Sequence, residues 1–344
     1  MGVPLKPLVS PEAVSLKYLH QKVVSVDATN LLCQVLYNPS QRRGSDQRLY
    51  TDRTFRVISH LYGMLYKAIN FYKHKALPIF VFDGQPSRLK RIISKRQGHD
   101  YRVLSEWYQM AMASKNYQKA KNIAYRADFI WSTCLKESKA LLTSCGFPVV
   151  TAPSEAEAQC AALVTQGSAD VMVSTDYDAL LYGCPTTLHH LTFSTRYQVN
   201  GRWRTRKNPL SVLHLRQFLE THRLSLPELI DLSMLVGNDY TPGVSGIGPK
   251  TAVNLLHKYH DILEIRDRLD HEYDFTEITP QKVRTIRKLF LFPEVHLDLS
   301  DLSWEMPTPG GILSLLCNDH FLNRDRVNKA IERIVDYYKK NMSN

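Results

Sequence analysis

Acidic residues recur at the ends of short apolar segments in this sequence. The run "VVSVD" ends in Asp27, and the run "LPIFVFD" ends in Asp83. A third run, "ADVMVSTDYD", leads into Asp176 and Asp178. Taken singly, each acid could cap a helix or belong to a turn, which are common roles of aspartate. Their repeated position indicates instead that the acids act together.

Two more acids follow the run "FPVVTA", within the segment "PSEAEAQCAALV". Glu155 and Glu157 fall where a helix is expected to begin, and Ser154 with Glu157 fits a capping box. Acids in a first helical turn also suit the helix dipole, so a structural and a functional role stay open for both. Asp239, in "VGNDY", is a seventh acid that is expected to face the same crevice.

The elements that must position these acids are predicted to be strands of one sheet. Short runs rich in β-branched and aromatic residues alternate with helix-compatible stretches, at 22–27, 77–83, 147–152, 169–176 and 186–193. This alternation favours an α/β fold, with a mostly parallel central sheet flanked by helices. Ligands of such folds bind beyond the carboxyl ends of the strands, which is where these acids would converge.

Converging carboxylates repel one another, so their pKa values rise when no cation is present. Hard divalent ions such as Mg²⁺ and Mn²⁺ remove that repulsion, and they prefer ligand sets made of oxygen atoms. Two such ions about 4 Å apart can activate water and stabilise the leaving oxygen of a phosphodiester. The acids therefore indicate phosphoryl chemistry.

The basic charge is concentrated in one segment. The chain has 344 residues and a formal net charge of +11. Ten basic residues and only two acids lie between positions 88 and 126, which accounts for +8 of that total. Aromatic residues are interleaved with these cations, a pattern that suits a nucleic-acid single strand. The alternative is a solvated helical hairpin with a core of its own, predicted as helices at 87–112 and 115–145.

A glycine-rich turn lies between two predicted helices at 226–260. The turn "GVSGIGPKTA" can bring backbone N–H groups up to a phosphate in front of a helix N-terminus. Such a contact reads no base edge, so it would be independent of DNA sequence. A closing amphipathic helix is predicted at 323–340. No apolar stretch is long enough to span a membrane, and the six cysteines have no zinc-ligand spacing.

Five motifs, spread in order along the chain, resemble those of the flap endonucleases of archaea and eukaryotes, within the structure-specific 5′ nuclease family. They are "VDATN", "VFDGQPSRLK", "PSEAEAQCAAL", "STDYDALLYG" and "LVGNDYTPGVSGIGPKTA". The resemblance implies a PIN-like nuclease fold with a helical arch insertion. It also implies an enzyme of DNA replication and repair that hydrolyses the phosphodiester at the base of 5′ single-stranded flaps. The products would be a 5′-phosphate and a 3′-hydroxyl, and 5′–3′ exonuclease activity is expected as well.

The resemblance further implies two Mg²⁺ ions, which Mn²⁺ can replace. Seven acids would hold them directly or through water: Asp27, Asp83, Glu155, Glu157, Asp176, Asp178 and Asp239. Two of these, Asp176 and Asp178, are also expected to act in catalysis. Lys90 and Arg96 would approach the scissile phosphate and offset charge in the transition state.

Further positions are expected to contact DNA. Gly246, Gly248 and Lys250 would form a helix-two-turn-helix grip on duplex phosphates, with a K⁺ or Na⁺ ion at the turn. Gly2 would lie close to the DNA, and Lys90 and Arg96 would contact it as well.

The chain is expected to form a single nuclease domain, 1–344. Its regions would be an N-terminal nuclease region (1–100), the helical arch (87–135), an internal nuclease region (120–260), the helix-two-turn-helix element (226–260) and a C-terminal helical region (261–344).

Two features depart from the family pattern. Cys33 stands where many relatives have a tyrosine that stacks on a base, and Tyr37, one helical turn later, is expected to replace it. The usual C-terminal box for a sliding clamp is absent, so a clamp partner stays open. The expected partner is branched DNA with a 5′ flap, bound by a monomer that contacts no membrane.

The resemblance implies an intracellular protein, of the cytoplasm or nucleoid in an archaeon and of the nucleus in a eukaryote. Two alternatives are a non-catalytic binder of branched DNA and a nuclease with another substrate, such as a 5′ exonuclease or a bubble or junction resolvase.

Overall fold

The structure is a computed structural model that describes residues 2–37, 49–85, 101–193, 196–199, 202–205, 210–299 and 301–342. Its strands are β1 (Glu12–Ala13), β2 (Val23–Asp27), β3 (Leu77–Phe82), β4 (Val149–Thr151), β5 (Val171–Val173), β6 (Thr186–His189), β7 (Arg196–Val199), β8 (Arg202–Thr205) and β9 (Ser211–His214). β7 and β8 form a separate antiparallel ribbon. The other strands share one sheet in the order β1-β9-β6-β5-β2-β3-β4.

Strands β6, β5, β2, β3 and β4 run parallel to one another. At one edge, β9 pairs antiparallel with β6, and β1 pairs antiparallel with β9. This topology confirms the mostly parallel α/β fold expected from the sequence. The central strands are mostly apolar because both faces of the sheet are covered, with Ser25 and Asp27 of β2 as buried polar exceptions. In β3, Phe80 and Phe82 face one core and Ile79 and Val81 face the other.

Helices cover both faces of the sheet. They are α1 (Ala28–Tyr37), α2 (Ser59–Lys73), α3 (Tyr101–Ala113), α4 (Tyr117–Ala124), α5 (Ala127–Ser144), α6 (Ala156–Thr165), α7 (Asp178–Leu181), α8 (Leu215–His222), α9 (Leu226–Val236), α10 (Pro249–Tyr259), α11 (Ile262–Leu269), α12 (Pro280–Leu291), α13 (Pro309–Leu313) and α14 (Arg324–Met342). A 3₁₀ turn covers Leu16–Leu19, and a π-helical turn covers Ser314–Asp319. Within the described ranges, none of these helices is long and apolar enough to cross a membrane.

The five strands predicted from apolar runs are β2 to β6, and the predicted closing helix is α14. The strands β1, β7, β8 and β9 were not predicted. β1, β7 and β8 lack an apolar run, whereas β9, with the sequence SVLH, is a buried strand that the sequence prediction missed. The division of the chain into regions stays a prediction.

The segment predicted as an arch contains more breaks than its sequence indicates. The single helix expected at 115–145 is wrong, since α4 ends before Tyr125 and Arg126 adopts an extended conformation with φ −70° and ψ 136°. The turn at 114–116 folds α4 back on α3, and the break at Arg126 redirects the chain into α5 so that Phe129 joins the same small core as Leu104, Tyr108 and Ile123. Apolar burial therefore decides the path of the chain here. The predicted helix at 87–112 is described only from residue 101 onward.

A buried polar network joins the C-terminal part of the chain to α2 and α5. His320 Nδ1 lies 2.8 Å from Asp52 Oδ2, and its Nε2 makes an ion-pair contact of 3.0 Å with Glu137 Oε1. The other oxygen of Glu137 lies 3.0 Å from His60 Nε2. Burial favours the neutral form of both imidazoles, yet Asp52 and Glu137 outweigh it at His320 and raise its pKa, whereas the pKa of His60 is lowered. His320 therefore stands between two carboxylates that favour its protonated form.

This network predicts a pH-dependent contribution of His320 to stability. Because its pKa is raised on folding, the contribution is fully present below the ordinary histidine value of 6.5 and is lost as pH rises through the folded value. We expect His320→Gln to lower the free energy of unfolding by about 1–3 kcal/mol at pH 6, with a smaller difference at pH 9.

Urea unfolding at both pH values measures this difference. His271→Gln, at a histidine whose side chain is 74% exposed, is the control and should change little. A difference for His320→Gln that stays constant or widens with pH would contradict the assignment.

Candidate active site

The predicted acids lie at the carboxyl edge of the parallel strands. Asp27 is the last residue of β2, Asp83 follows β3, and Asp176 and Asp178 follow β5. These three strands are adjacent in the sheet order β5-β2-β3, so their ends meet at one place.

Asp27 and Asp83 each cap a helix as well as facing the cluster. The backbone N–H of Asn30 donates to Asp27 Oδ1 at 2.8 Å, which closes the first turn of α1. The N–H of Ala156 donates to Asp83 Oδ1 at 2.7 Å, so an acid from a neighbouring strand caps α6. The capping box considered for Ser154 is wrong, because α6 begins at Ala156 and its N-cap residue makes no side-chain capping bond.

A close backbone approach explains the glycine after Asp83. A Cβ atom on Gly84 would stand 1.9 Å from the carbonyl oxygen of Ala152, and the N–H of Gly84 donates to the carbonyl of Ser154 at 2.7 Å. The glycine therefore lets β3 and the loop before α6 meet closely, and this contact brings Asp83 to the start of α6.

Asp176 and Asp178 are held by three other segments. Asn30 Nδ2 donates to Asp176 Oδ2 at 3.3 Å, and the N–H of Asp176 donates to Ser174 Oγ at 3.1 Å. The same Ser174 hydroxyl donates to Glu157 Oε1 at 3.1 Å, which joins α6 to the strand end. The N–H of Val3 donates to Asp178 Oδ1 at 2.6 Å. The N-terminal segment therefore forms one wall of the site.

Burial and mutual repulsion raise the pKa values of several acids in the cluster. Burial, followed by the charge of Asp83 and then that of Asp176, raises the pKa of Asp27 to about 7. Burial and the charges of Asp239 and Asp176 raise the pKa of Asp178 to about 6. Burial of the carboxylate, followed by the charges of Asp178 and Asp27, raises the pKa of the half-buried Glu157 well above its ordinary value. Ions of opposite charge would reverse these shifts.

The seven predicted acids are not all placed alike. Six of them influence one another electrostatically in one group: Asp27, Asp83, Glu157, Asp176, Asp178 and Asp239. Glu155 lies at the edge of this group, where its carboxylate accepts hydrogen bonds from Tyr182 and Tyr240. Within the described residues, no three acidic, histidine or cysteine groups are arranged closely enough here to share one ion. The donor set is nevertheless made of oxygen atoms that repel one another, which fits a hard divalent ion.

Asn30, Ser174, Tyr182 and Tyr240 support the acids and were not predicted from the sequence. All four lie within the quoted motifs. Their closeness in sequence to the predicted acids is the signal that could have identified them. Lys90 and Arg96 lie outside the described residues.

In the glycine-rich turn between α9 and α10, Gly246 and Gly248 are exposed, whereas Val244 and Ile247 are buried. Gly246 has φ +89°, a left-handed conformation that favours glycine, and Gly248 is the N-cap residue of α10. No atom comes within 4 Å of a Cβ atom built on Gly248, so a ligand could approach the backbone there. Lys250 is exposed in the first turn of the same helix.

The aromatic residues of the arch segment divide between its core and its surface. Tyr108 is buried, and its hydroxyl donates to the carbonyl of Thr54 at 2.6 Å. Trp107, Tyr117 and Tyr125 are 42%, 52% and 45% exposed, among the exposed lysines of α4. The segment thus has both a core of its own and an outer face of cations and aromatic rings.

Comparisons with known proteins agree with this geometry. A family model of the XPG N-terminal domain matches residues 1–101, and one of the XPG I-region matches residues 146–239. A protein named Flap endonuclease 1 from Methanocella arvoryzae is 35% identical over 335 residues, which cover 97% of this chain and 95% of that protein.

Solved structures share the fold over almost the whole chain. Flap endonuclease-1 from Methanococcus jannaschii has a TM-score of 0.72 at 27% identity, with 98% of this chain and 99% of that chain covered. The catalytic core of Rad2 in complex with a DNA substrate has a TM-score of 0.68 at 21% identity, with 97% and 100% covered.

The acidic edge of a mostly parallel sheet and the two XPG matches define a nuclease with a PIN-like fold. The near full-length identity is more specific, and the chain belongs to the flap endonuclease family. This membership confirms the resemblance seen in the sequence motifs. The roles assigned to single residues stay predictions.

Gly2 provides a test of how tightly the site is packed. A Cβ atom at this position would stand 2.7 Å from Asp176 Cβ and 3.2 Å from Asp178 Oδ1. We expect Gly2→Ala to displace both carboxylates and to lower the nuclease rate by about 10- to 100-fold, the scale of a small misplacement in an active site.

Single-turnover cleavage measures the effect. Gly310→Ala is the matched control, because no atom lies within 4 Å of a Cβ atom built there. A Gly2→Ala enzyme with the wild-type rate would show that the N-terminal segment does not constrain the acids.

Proposed function

We propose that this protein is a structure-specific endonuclease that cuts branched DNA at the base of 5′ single-stranded flaps during replication and repair. The observation that carries the proposal is the group of buried, mutually repelling carboxylates at the edge of the sheet. Family membership supports the choice of a flap as substrate. Hydrolysis would leave a 5′-phosphate and a 3′-hydroxyl, and 5′–3′ exonuclease activity at the same site would need no further group.

The acids would bind two Mg²⁺ ions, for which Mn²⁺ can substitute, directly or through water. The proposed ligands are Asp27, Asp83, Glu155, Glu157, Asp176, Asp178 and Asp239. Divalent ions bound there would supply Lewis-acid activation of water and charge stabilisation at the phosphodiester. Asn30 and Ser174 orient Asp176 and Glu157 through the hydrogen bonds described above, so the ligands need little rearrangement.

Residues around the acids would position the DNA. Gly246, Gly248 and Lys250 would contact duplex phosphates, with K⁺ or Na⁺ at the turn, in a grip that does not read sequence. The exposed aromatic rings and lysines of α3 and α4 suit the single-stranded flap. Lys90 and Arg96 would offset charge on the scissile phosphate, and Tyr37 would stack on the base next to it.

The proposed partner is branched DNA bound by a monomer inside the cell. If the enzyme instead cut blunt or recessed 5′ ends, bubbles or four-way junctions, the proposed chemistry would stand and only the substrate would differ. Binding without cleavage would favour the non-catalytic alternative.

The direct test is cleavage of an end-labelled double-flap DNA, with and without Mg²⁺. We expect Mg²⁺-dependent incision near the flap base, and a rate at least about 100-fold lower in Asp176→Ala with DNA binding retained, because the variant lacks a group that stabilises the transition state. Asp325→Ala, on the distant helix α14, is the control. The proposal fails if the branched substrate is bound but never cut with either Mg²⁺ or Mn²⁺.

Salt dependence tests the phosphate grip. Lys250→Ala should weaken binding to flap substrates of any sequence equally and should reduce the slope of log affinity against log salt by about 0.9, the value for one phosphate contact. Lys329→Ala, on α14, should leave the slope unchanged. Equal slopes for wild type and Lys250→Ala would remove Lys250 from the DNA interface.

A further inference from the structure

The carboxylate of Glu155 is held by two tyrosine hydroxyls, one on each oxygen. Tyr240 OH donates to Oε1 at 2.7 Å, and Tyr182 OH donates to Oε2 at 3.2 Å. The two tyrosines come from different parts of the chain, since Tyr182 follows α7 and Tyr240 lies in the turn after α9. Two separate elements thus converge on one acid.

A third element holds the two tyrosine rings. The ring of Phe290, buried on α12, lies 4.9 Å from that of Tyr182 and 5.7 Å from that of Tyr240, measured between centroids. Both contacts are tilted or edge-on, which are favourable arrangements for aromatic pairs. The placement of both tyrosine rings, and through them the orientation of Glu155, therefore depends on the position of α12.

The chemistry of these donors suits an acid that must stay charged. A phenol donates a hydrogen bond while remaining neutral, so it orients the carboxylate without cancelling the negative charge. An arginine or lysine at the same place would compete with a metal ion. A carboxylate offers about four lone-pair positions, so it can accept two hydrogen bonds and also ligate a cation.

The surroundings give Glu155 room to move if these bonds are lost. A cavity of about 320 Å³ borders Glu155, Tyr182 and Tyr240, and Lys288 of α12 lines it as well. Glu155 is the N-cap residue of α6 and makes no side-chain bond to that helix. Loss of the two hydroxyls would therefore loosen the hold on this carboxylate, and the cavity offers it space to reorient.

We propose that Tyr182 and Tyr240 are positioning residues that hold Glu155 ready for a divalent cation, and that Phe290 fixes their rings. This inference rests on the proposed function, in which Glu155 is a metal ligand. The inference adds two hydroxyl donors, and the helix α12 that carries Phe290, to the parts of the protein that determine its affinity for the metal ion.

The test compares Tyr182→Phe, Tyr240→Phe and the double variant with wild type. Each keeps the ring that packs on Phe290 and removes only the hydroxyl. Binding of Mn²⁺ to the enzyme without DNA is measured by calorimetry, and the Mg²⁺ concentration that gives half-maximal cleavage is measured at saturating flap substrate. Tyr72→Phe is the matched control, since it removes a buried hydroxyl that donates to the carbonyl of Cys145, away from the site.

We expect the double variant to bind Mn²⁺ about 10- to 100-fold more weakly and its Mg²⁺ midpoint to rise by a similar factor, the usual effect of removing a group that orients a metal ligand. The maximal rate at saturating Mg²⁺ should recover toward that of wild type. Phe290→Leu, which leaves both hydroxyls in place, should shift the midpoint in the same direction. Tyr72→Phe should change neither quantity.

An unchanged Mn²⁺ affinity and an unchanged Mg²⁺ midpoint in the double variant would overturn the inference. A lower maximal rate with an unchanged midpoint would overturn it as well, because the hydroxyls would then act on something other than metal binding. Failure of the proposed function is distinguishable, since it would appear as a wild-type enzyme that cuts no flap.

Discussion

Repulsion among buried carboxylates at one edge of the sheet is the constraint on which the rest of this structure depends. Burial and neighbouring charges raise the pKa values of Asp27, Glu157 and Asp178 together, which is unfavourable for a folded protein at neutral pH. A fold keeps such a group when the group has a function, and perturbed acids gathered in a crevice are typical of active sites. Here the crevice lies where parallel strands end.

The surrounding chain holds these acids apart and oriented. Backbone N–H groups donate hydrogen bonds to Asp27, Asp83 and Asp178. The side chain of Asn30 donates to Asp176, and that of Ser174 donates to Glu157. Two tyrosine hydroxyls donate to Glu155. These donors are neutral groups, so they orient the carboxylates without cancelling their negative charge. The supports come from the N-terminus, from α1 and α6, and from the segments around α7 and α9. The site therefore joins parts of the chain that are distant in sequence.

Much of this arrangement could be predicted from the sequence, and the remainder depends on tertiary contacts. The strands before Asp27, Asp83 and Asp176 are buried apolar runs, and their acidic ends follow directly from parallel pairing. The helix break at Arg126 is determined by packing around Tyr108. No glycine or proline marks it, so the sequence alone could not predict it. The two hydroxyls on Glu155 come from residues 27 and 85 positions away along the chain, so no local pattern could predict them.

Diffraction from a crystal of the wild-type enzyme soaked in Mn²⁺, recorded at the manganese absorption edge, tests the central claim most directly. The account predicts two anomalous peaks within coordination distance, or one water molecule, of the acids at the ends of β2, β3 and β5. Asp176→Ala crystals should lose at least one of them. A wild-type crystal in which manganese binds only elsewhere on the surface would contradict the claim that these carboxylates form the metal site.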